Sequence, residues 1–276
     1  MLSFVNALGA APIILALKSG DSFTPPTLDH EFNPDPLFFI GTPFEIHRLL
    51  LVRLIAVIAL FGVMLWYSRT AKVVPSRGQA AVESLLDFSR VQIGEEILGE
   101  DKAAKYQPMI ATVFIGILFM NLTGVIPGLQ IAGTSLVAMP LIFALFVFFG
   151  FVLAGVKSRG FGRFFREQLF PPGVPKLVYF LLAPLEFFST FILRPLTLTV
   201  RLLSNMVAGH FILVLCFLGT HYLYFEISGI FGAGLGSLTL LVGVVFVVFE
   251  LFVGALQAYI FAMLAAVYIS LSISEH

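Results

Sequence analysis

Long apolar runs, separated by short polar clusters, make up most of the chain. Three of these runs, at 49–67, 107–126 and 135–156, have about the 20 residues that a helix needs to cross a ~30 Å hydrocarbon core. Two later runs, at 176–219 and 238–272, are about twice as long as an upright span requires. The pattern predicts an all-α polytopic membrane protein, in which upright transmembrane helices precede a long, strongly tilted antiparallel helix hairpin.

The first arm of this hairpin contains Pro184 and Pro195. It is therefore either strongly tilted as one helix, or broken at the prolines and partly parallel to the membrane plane. A glycine-rich segment, Ser228–Gly236, separates the two arms. It has neither the lysine nor the preceding strand of a phosphate-binding loop, so we predict that it forms the hairpin turn.

The first 48 residues are predicted to form an extramembrane segment. Residues 18–48 carry five acidic side chains against only Lys18 and Arg48. Residues 1–17 are apolar, but no lysine or arginine precedes them, which favours an interfacial segment over a cleaved signal peptide. Between residues 78 and 100 apolar side chains recur at helical spacing, which predicts an amphipathic helix on the cytoplasmic membrane surface; they are Val82, Leu86, Ile93 and Ile97.

Cationic side chains follow the first and the third of the shorter apolar runs. Loops on the cytoplasmic side of a membrane carry an excess of lysine and arginine. These clusters therefore predict an N-terminus outside the cell and a C-terminus in the cytoplasm; they are Arg69, Lys72 and Arg77, and Lys157, Arg159, Arg163 and Arg166.

Composition narrows the class of protein further. The chain is 59% hydrophobic and 12% charged, with a formal net charge of zero, and its mean hydropathy is +1.00. These values exclude a soluble fold and give no electrostatic footprint for nucleic acid. Cys216 is the one cysteine of the chain, so no internal disulfide can form. Because no metal-ligand spacing, nucleophile–base pair or nucleotide cradle is present, we expect no metal, no cofactor and no catalytic site.

Arg201 lies inside the first arm of the hairpin, with apolar residues on both sides. An arginine near the centre of a membrane helix costs at least roughly 2.5–3.5 kcal/mol, so such a residue is a candidate functional residue. The alternative is an arginine at a helix end whose side chain extends to the headgroups. Helical spacing puts Arg201 on one face of the helix and His210 on nearly the opposite face. The residues that share the face of Arg201 are Arg194, Thr197, Asn205 and Ala208.

Other polar residues at membrane depth accompany Arg201. They are Asn121, Glu186, Arg194, Asn205, His210, Glu250 and Gln257. Histidine changes charge near neutral pH, and a carboxylate removed from water takes up a proton more readily, so His210 and Glu250 are the pair best suited to pass protons. A structural role for His210 is the alternative. Asn121 either makes a helix–helix hydrogen bond or lines a water path.

Glu250 and Gln257 are seven residues apart and share one helix face. Gly243 and Gly254 lie near that face and allow a neighbouring helix to approach closely. Arg201 cannot pass protons, because its guanidinium stays protonated. A fixed positive charge instead repels protons and attracts a carboxylate on another surface, which suits a gate between two water-accessible half-paths.

At these positions the sequence resembles subunit a of the F-type ATP synthase membrane sector. The resemblance covers residues 70–276. Its matching positions are Pro195, Arg201, Leu202, Asn205, Met206, Ala208, Gly209 and His210, then Leu256 to Phe261 and Tyr268, with Met120-Asn121-Leu122, Ile126-Pro127 and Pro184-Leu185-Glu186 in support.

The resemblance implies a multi-pass stator subunit of the cell membrane, set against a rotating ring of c subunits. Each c subunit carries one carboxylate. Protons would reach this carboxylate through an outer half-channel and, after rotation of the ring, would leave it through a second half-channel to the cytoplasm. Peripheral-stalk b subunits, the remaining ATP synthase subunits and the lipid bilayer are the other implied partners. Arg201 would make the ring carboxylate release its proton and would separate the two paths.

The resemblance also implies roles for the other polar residues. His210, Glu250 and Asn121 would line the outer path, Glu186 and Arg194 would lie toward the cytoplasmic one, and Gln257 would face Arg201. His210 and Glu250 match the family as a pair, because some members carry the two residue types in exchanged order. Glu186 stands one residue further from the arginine than in the usual pattern, an offset that a helical bulge could absorb.

Two functions of other classes compete with this interpretation. A secondary transporter would need paired repeats with broken helices, and no such repeat is visible. A purely structural membrane anchor would tolerate apolar residues in place of Arg201, His210 and Glu250.

Overall fold

The computed structural model describes residues 48–126, 134–170, 179–227 and 229–273. Every regular element among these residues is helical, which confirms the predicted all-α class. The predictions for residues 1–47 lie outside the described residues. In chain order the helices are α1 (Arg48–Thr70), α2 (Arg77–Phe88), α3 (Glu96–Leu98), α4 (Glu100–Val125), α5 (Ala138–Arg159), α6 (Phe161–Leu169), α7 (Tyr179–Phe187), α8 (Arg194–Phe225) and α9 (Ile230–Ile273).

Among the described residues, five helical stretches are long and apolar enough to cross a membrane. Three of them, α1, α4 and α5, have the length of an ordinary span. The fourth runs through α7 and α8 for 47 residues and the fifth is α9 with 44 residues. At 1.5 Å per residue these last two are about 66–70 Å long, twice the hydrocarbon thickness. The long hairpin predicted from the sequence is therefore present.

The arms of the hairpin contact each other in antiparallel register near the turn. Hydroxyl groups pair across the arms, with 2.6 Å between Tyr224 Oη and Ser237 Oγ and 3.0 Å between Thr220 Oγ1 and Thr239 Oγ1. A Cβ added at Gly243 would lie 3.4 Å from Cys216 Cβ. Moving toward the N-terminus of α8 is thus matched by moving a similar number of residues toward the C-terminus of α9, as in an antiparallel pair.

The hairpin turn is shorter than the predicted segment Ser228–Gly236. Helix α9 already begins at Ile230, directly after Gly229, whose φ of +106° is a conformation that favours glycine. Gly236 serves the packing of the two arms instead of the turn. At Gly236 an added Cβ would lie 2.9 Å from Tyr224 Cδ2, so a larger residue would separate the arms.

The segment predicted as one amphipathic surface helix contains a π-helical turn, Ser89–Glu95, between α2 and α3. Ile93 is fully buried at this turn. The side chain of Gln107 donates from Nε2 to Ser89 Oγ at 3.0 Å, and Gly94 packs against the same glutamine. The bulge thus lies where α4 packs against this segment. Helix α4 itself begins earlier than predicted, because Glu100 and Asp101 favour a helix N-terminus.

The described residues fall into two compact units. The first takes those within Met1–Gly62, Leu118–Leu136 and Ser204–Ala255; the second takes those within Val63–Ile117, Val137–Leu203 and Leu256–His276. In the second unit, aromatic side chains fill the space around α5. Phe151 and Phe164 are buried with ring centroids 6.4 Å apart, and Ser272 Oγ donates to Phe151 O at 2.8 Å.

Gly155 provides a direct test of this packing. A methyl group at Gly155 would overlap both Ser272 Oγ and the Phe164 ring. We expect Gly155→Ala to lower the free energy of unfolding by about 1–3 kcal/mol. The matched control is Gly62→Ala, since nothing lies within 4 Å of a Cβ at Gly62 and alanine is the better helix former. Thermal unfolding of the detergent-solubilised protein measures both variants, and equal melting temperatures would contradict the packing.

Candidate functional site

Arg201 lies in α8 on the exposed side of the helix. Thr197 and Ala208, one and two turns away on the same face, are also exposed, and Asn205 is half-buried. The opposite stripe of α8 is buried; it contains Leu198, Leu202 and Met206. The sequence therefore folds this stretch with a charged residue on the outside of the chain and apolar residues inside.

His210 and Glu250 lie together in the first unit. Both are buried, with exposed fractions of 6% and 5%. Gly209 makes room for the carboxylate, because a Cβ at Gly209 would lie 3.2 Å from Glu250 Oε1. The His210 imidazole is within electrostatic range of the same carboxylate. Two titratable side chains thus lie near each other on the two arms of the hairpin.

Asn121 makes a helix–helix hydrogen bond, one of its two predicted alternatives. Its Nδ2 donates to Gly254 O at 3.0 Å, and Thr134 Oγ1 donates to its Oδ1 at 2.7 Å. Gly254 allows this approach, since an added Cβ would lie 3.3 Å from Asn121 Cβ. Sequence reasoning missed Thr134, although a hydroxyl at the start of an apolar run was a usable signal. The cluster fixes α4 against α9 one turn away from Glu250.

A narrow cleft joins Asn121 to Glu250. The cleft is too narrow to hold a water molecule, and it is lined by Leu118, Asn121, Leu122, Val125, Glu250, Leu251, Gly254 and Ala255. Glu250 Oε2 is buried and has no hydrogen-bond partner among the described residues. A carboxylate oxygen in such a cleft is chemically suited to take up and release a proton.

The remaining predicted site residues are distributed along the hairpin. The Arg194 guanidinium lies over two rings of the second unit, 5.0 Å from the centroid of Tyr268 and 5.9 Å from that of Phe151. Both contacts are within cation–π range. Gln257 on α9 is buried, and Glu186 on α7 is half-buried.

A helical bulge that could absorb the offset of Glu186 lies between Glu186 and Arg201. It is the π-helical turn Phe188–Leu193, which joins α7 to α8. A π-helical turn inserts one residue into a helix and so rotates everything on one side of it relative to the other. It therefore provides the one-residue offset that the sequence spacing of Glu186 suggested.

In the described part of the chain, no group of three histidine, cysteine or acidic side chains could hold a metal ion. What the site brings together is a buried carboxylate, an imidazole and an amide, with an arginine exposed elsewhere on the same hairpin. Such groups can accept, hold and repel protons.

Comparison with known proteins gives a consistent result. Residues 50–270 match the family described as ATP synthase A chain. The chain is 42% identical to ATP synthase subunit a of Rhodococcus erythropolis over 260 residues, which cover 94% of each chain. It is 41% identical to ATP synthase subunit a of Frankia alni over 76% of this chain and 72% of that one. It is 38% identical to ATP synthase subunit a of a Parafrankia species, over 94% of this chain and 88% of that one.

Proposed function

Since the chain belongs to the ATP synthase A chain family, we propose that it is the stator subunit that carries protons past a rotating ring of c subunits. Membership makes it a multi-pass membrane subunit that acts within the ATP synthase complex, in proton transport for ATP synthesis. Two half-paths lead to the ring from opposite membrane faces, and Arg201 lies between them as a gate.

The observation that carries the proposal is the exposure of Arg201 inside a long apolar span. At membrane depth an exposed arginine would face either lipid tails or another protein surface. Lipid is the costly choice. A ring of subunits that each carry one carboxylate is a favourable one, because an opposite charge lowers the energy of the guanidinium. We therefore assign the ring to the exposed face of α8.

The charge on Arg201 also explains how the two half-paths stay separate. A membrane potential drives each proton with about 2.3 kcal/mol per 100 mV, so a barrier against direct leakage must exceed this value. A fixed guanidinium in a weakly screened site repels protons strongly enough to provide that barrier. The same charge favours the ionised form of a nearby ring carboxylate, which is the form needed for unloading.

We assign the outer half-path to His210, Glu250 and Asn121. The support is the position of Asn121 and Glu250 on one cleft and the close approach of Glu250 to Gly209, the chain neighbour of His210, across the hairpin. We assign Glu186 and Arg194 to the cytoplasmic half-path. Asn205, one turn after Arg201 on α8, would lie beside the gate.

Gln257 is assigned to the level of Arg201 by the register of the hairpin. The paired contacts between the arms match each step along α8 with a similar step along α9. If the same register continued along both helices, Gln257 would lie opposite Arg201. A glutamine can hydrogen-bond a guanidinium through its amide oxygen and can thereby hold the arginine in place.

For the whole chain we propose the orientation that the flanking cations favour, with residues 1–48 outside the cell and the C-terminus in the cytoplasm. Peripheral-stalk b subunits would hold the chain against rotation. We assign the synthesis and hydrolysis of ATP to other subunits of the complex and no catalytic site to this chain.

Disulfide cross-linking tests the ring-facing surface. In a Cys216→Ser background, Val200→Cys and Ala208→Cys each place a thiol on the exposed side of α8. Both should form disulfides with a cysteine next to the carboxylate of the c subunit, because each side chain would face the ring. Gel mobility of the cross-linked pair in oxidised membranes is the measurement.

Leu202→Cys is the matched control, since Leu202 lies on the same helix but is fully buried. It should give no cross-link under the same conditions. If the buried position cross-links as well as the exposed ones, or if neither exposed position does, then the ring does not occupy this face.

A further inference from the structure

A cationic cluster at the end of α5 lies outside the proton-path residues. Four cations lie close in sequence to one carboxylate, Glu167; they are Lys157, Arg159, Arg163 and Arg166. Their pattern along the chain indicates only the membrane orientation. In the structure, Arg159 and Arg163 contact Glu167 directly.

Two arginines share the single carboxylate. Arg159 Nη1 donates to Glu167 Oε2 at 2.6 Å, and Arg163 Nε donates to Glu167 Oε1 at 2.7 Å. Hydrogen bonds from Arg163 and Arg159 lower the pKa of Glu167 below its usual value, so the carboxylate is ionised at neutral pH. One negative charge thus faces two positive charges, and the cluster remains positive.

Arg159 is buried although part of its guanidinium is unpaired. Only 8% of its side chain is exposed, and its Nε and Nη2 atoms are buried without a hydrogen-bond partner among the described residues. Leaving buried donors of a charged group unpaired is costly. A ligand that accepts both hydrogen bonds would remove that cost.

The geometry of the unpaired donors indicates an oxyanion. The N–H groups of Nε and Nη2 form one side of the planar guanidinium, so they point in parallel toward the same place. That fork matches two oxygens of a phosphate or a carboxylate. The other side of the guanidinium, at Nη1, is already bound to Glu167.

The surroundings of Arg159 favour a lipid phosphate. Arg159 is the last residue of the apolar span α5, and α6 is amphipathic, with Phe164 buried while Phe161 is 68% exposed. A short helix with exposed aromatic and cationic residues after a membrane span is typical of the headgroup region. Anionic lipids concentrate phosphate groups there and are attracted by cations.

We propose that the side of Arg159 formed by Nε and Nη2 binds the phosphate of an anionic phospholipid headgroup, and that the surrounding cations attract this lipid to α6. The site is separate from the proton-path residues and does not depend on their assignment. Its occupant would fix α6 against α5 at the membrane surface.

Lipid retention by the assembled complex tests this site. Complexes with the parental chain, Arg159→Gln or Arg166→Gln are purified and placed in bilayers of phosphatidylcholine that contain a trace of spin-labelled phosphatidylglycerol. The fraction of immobilised label is then measured. Arg159→Gln should weaken association of the site's lipid about tenfold, as expected for the loss of two charge-assisted hydrogen bonds.

Arg166→Gln is the matched control, because it removes the same charge from α6 at an exposed position. It should change association by less than about twofold. Arg159→Lys keeps the charge but lacks the fork, so it should resemble Arg159→Gln; it also serves if Arg159→Gln fails to assemble.

Three results would overturn the proposal. The first is equal retention by the parental chain and both Arg159 variants. The second is full displacement of the lipid by millimolar inorganic phosphate, which would indicate a site for the free anion. The third is loss of another subunit from Arg159→Gln complexes with lipid retention unchanged, which would assign the fork to a carboxylate of that subunit.

Discussion

Membranes that contain the Arg201→Ala complex are expected to show no proton-driven ATP synthesis and no ATP-driven proton pumping, although the complex assembles. Assembly should survive because Arg201 is exposed and its replacement creates no cavity in the buried stripe of α8. Coupling should be lost because alanine neither repels a proton nor stabilises an ionised carboxylate on the ring.

Arg201→Lys and Thr197→Ala separate this effect from a general disturbance of α8. Lysine keeps a positive charge, but it lacks the planar fork of arginine and loses its proton more readily out of water, so coupled synthesis should still fail. Thr197 is an exposed neighbour on the same face, and its hydroxyl donates to Leu193 O within the helix. Thr197→Ala should therefore retain synthesis close to the parental rate. Coupled synthesis by Arg201→Ala near that rate would contradict the gate.

Glu250→Gln is expected to lower the rate of proton-driven ATP synthesis by about tenfold or more, with little change in the amount of assembled complex. Glutamine has nearly the same shape and keeps the packing against Gly209, where Oε1, Cδ and Cγ of Glu250 lie 3.2–3.5 Å from an added Cβ. It cannot take up and release a proton, so the outer half-path loses one of its titratable groups. Glu226→Gln, at an exposed carboxylate of the same hairpin, is the control and should leave the rate unchanged.

The double variant Glu250→Gln with His210→Leu tests whether the two residues act on one path. On a shared path the first substitution already limits the flow, so the double variant should be little slower than the slower single one. Fold losses that simply multiply would indicate independent roles. Rates are compared in vesicles at one imposed proton gradient.

The sequence was sufficient for the fold class because apolar run length is a direct consequence of membrane thickness. Arg201 is a candidate from the sequence alone, since a charge inside an apolar run is visible without any tertiary information. Face assignments on α8 followed from helical geometry, and Arg201 and His210 indeed differ in burial.

Contacts between distant parts of the chain were beyond the sequence. The hydrogen bond from Thr134 to Asn121 depends on how the start of the third span meets α4, which no periodicity encodes. The close approach of Gly209 to Glu250 depends on the register of the hairpin. Register is set by packing across the arms, so one sequence pattern is compatible with several registers.

Helix irregularities were predictable only in part. The offset of Glu186 suggested a bulge, and the π-helical turn Phe188–Leu193 supplies it. The similar turn Ser89–Glu95 was missed, because its cause is the packing of Gln107 and Gly94 and not a helix-breaking residue. Helix α6 was also missed, since nine residues with three phenylalanines and two arginines have no apolar run to mark them.

The most direct test of the gate is passive proton flow through vesicles stripped of the catalytic head, with the ring locked by the Ala208→Cys disulfide. In locked parental vesicles Arg201 should block direct transfer between the half-paths, so proton flow should fall to background. Locked Arg201→Ala vesicles should still conduct protons, because transfer no longer requires rotation. If they are as proton-tight as the locked parental vesicles, Arg201 does not separate two half-paths.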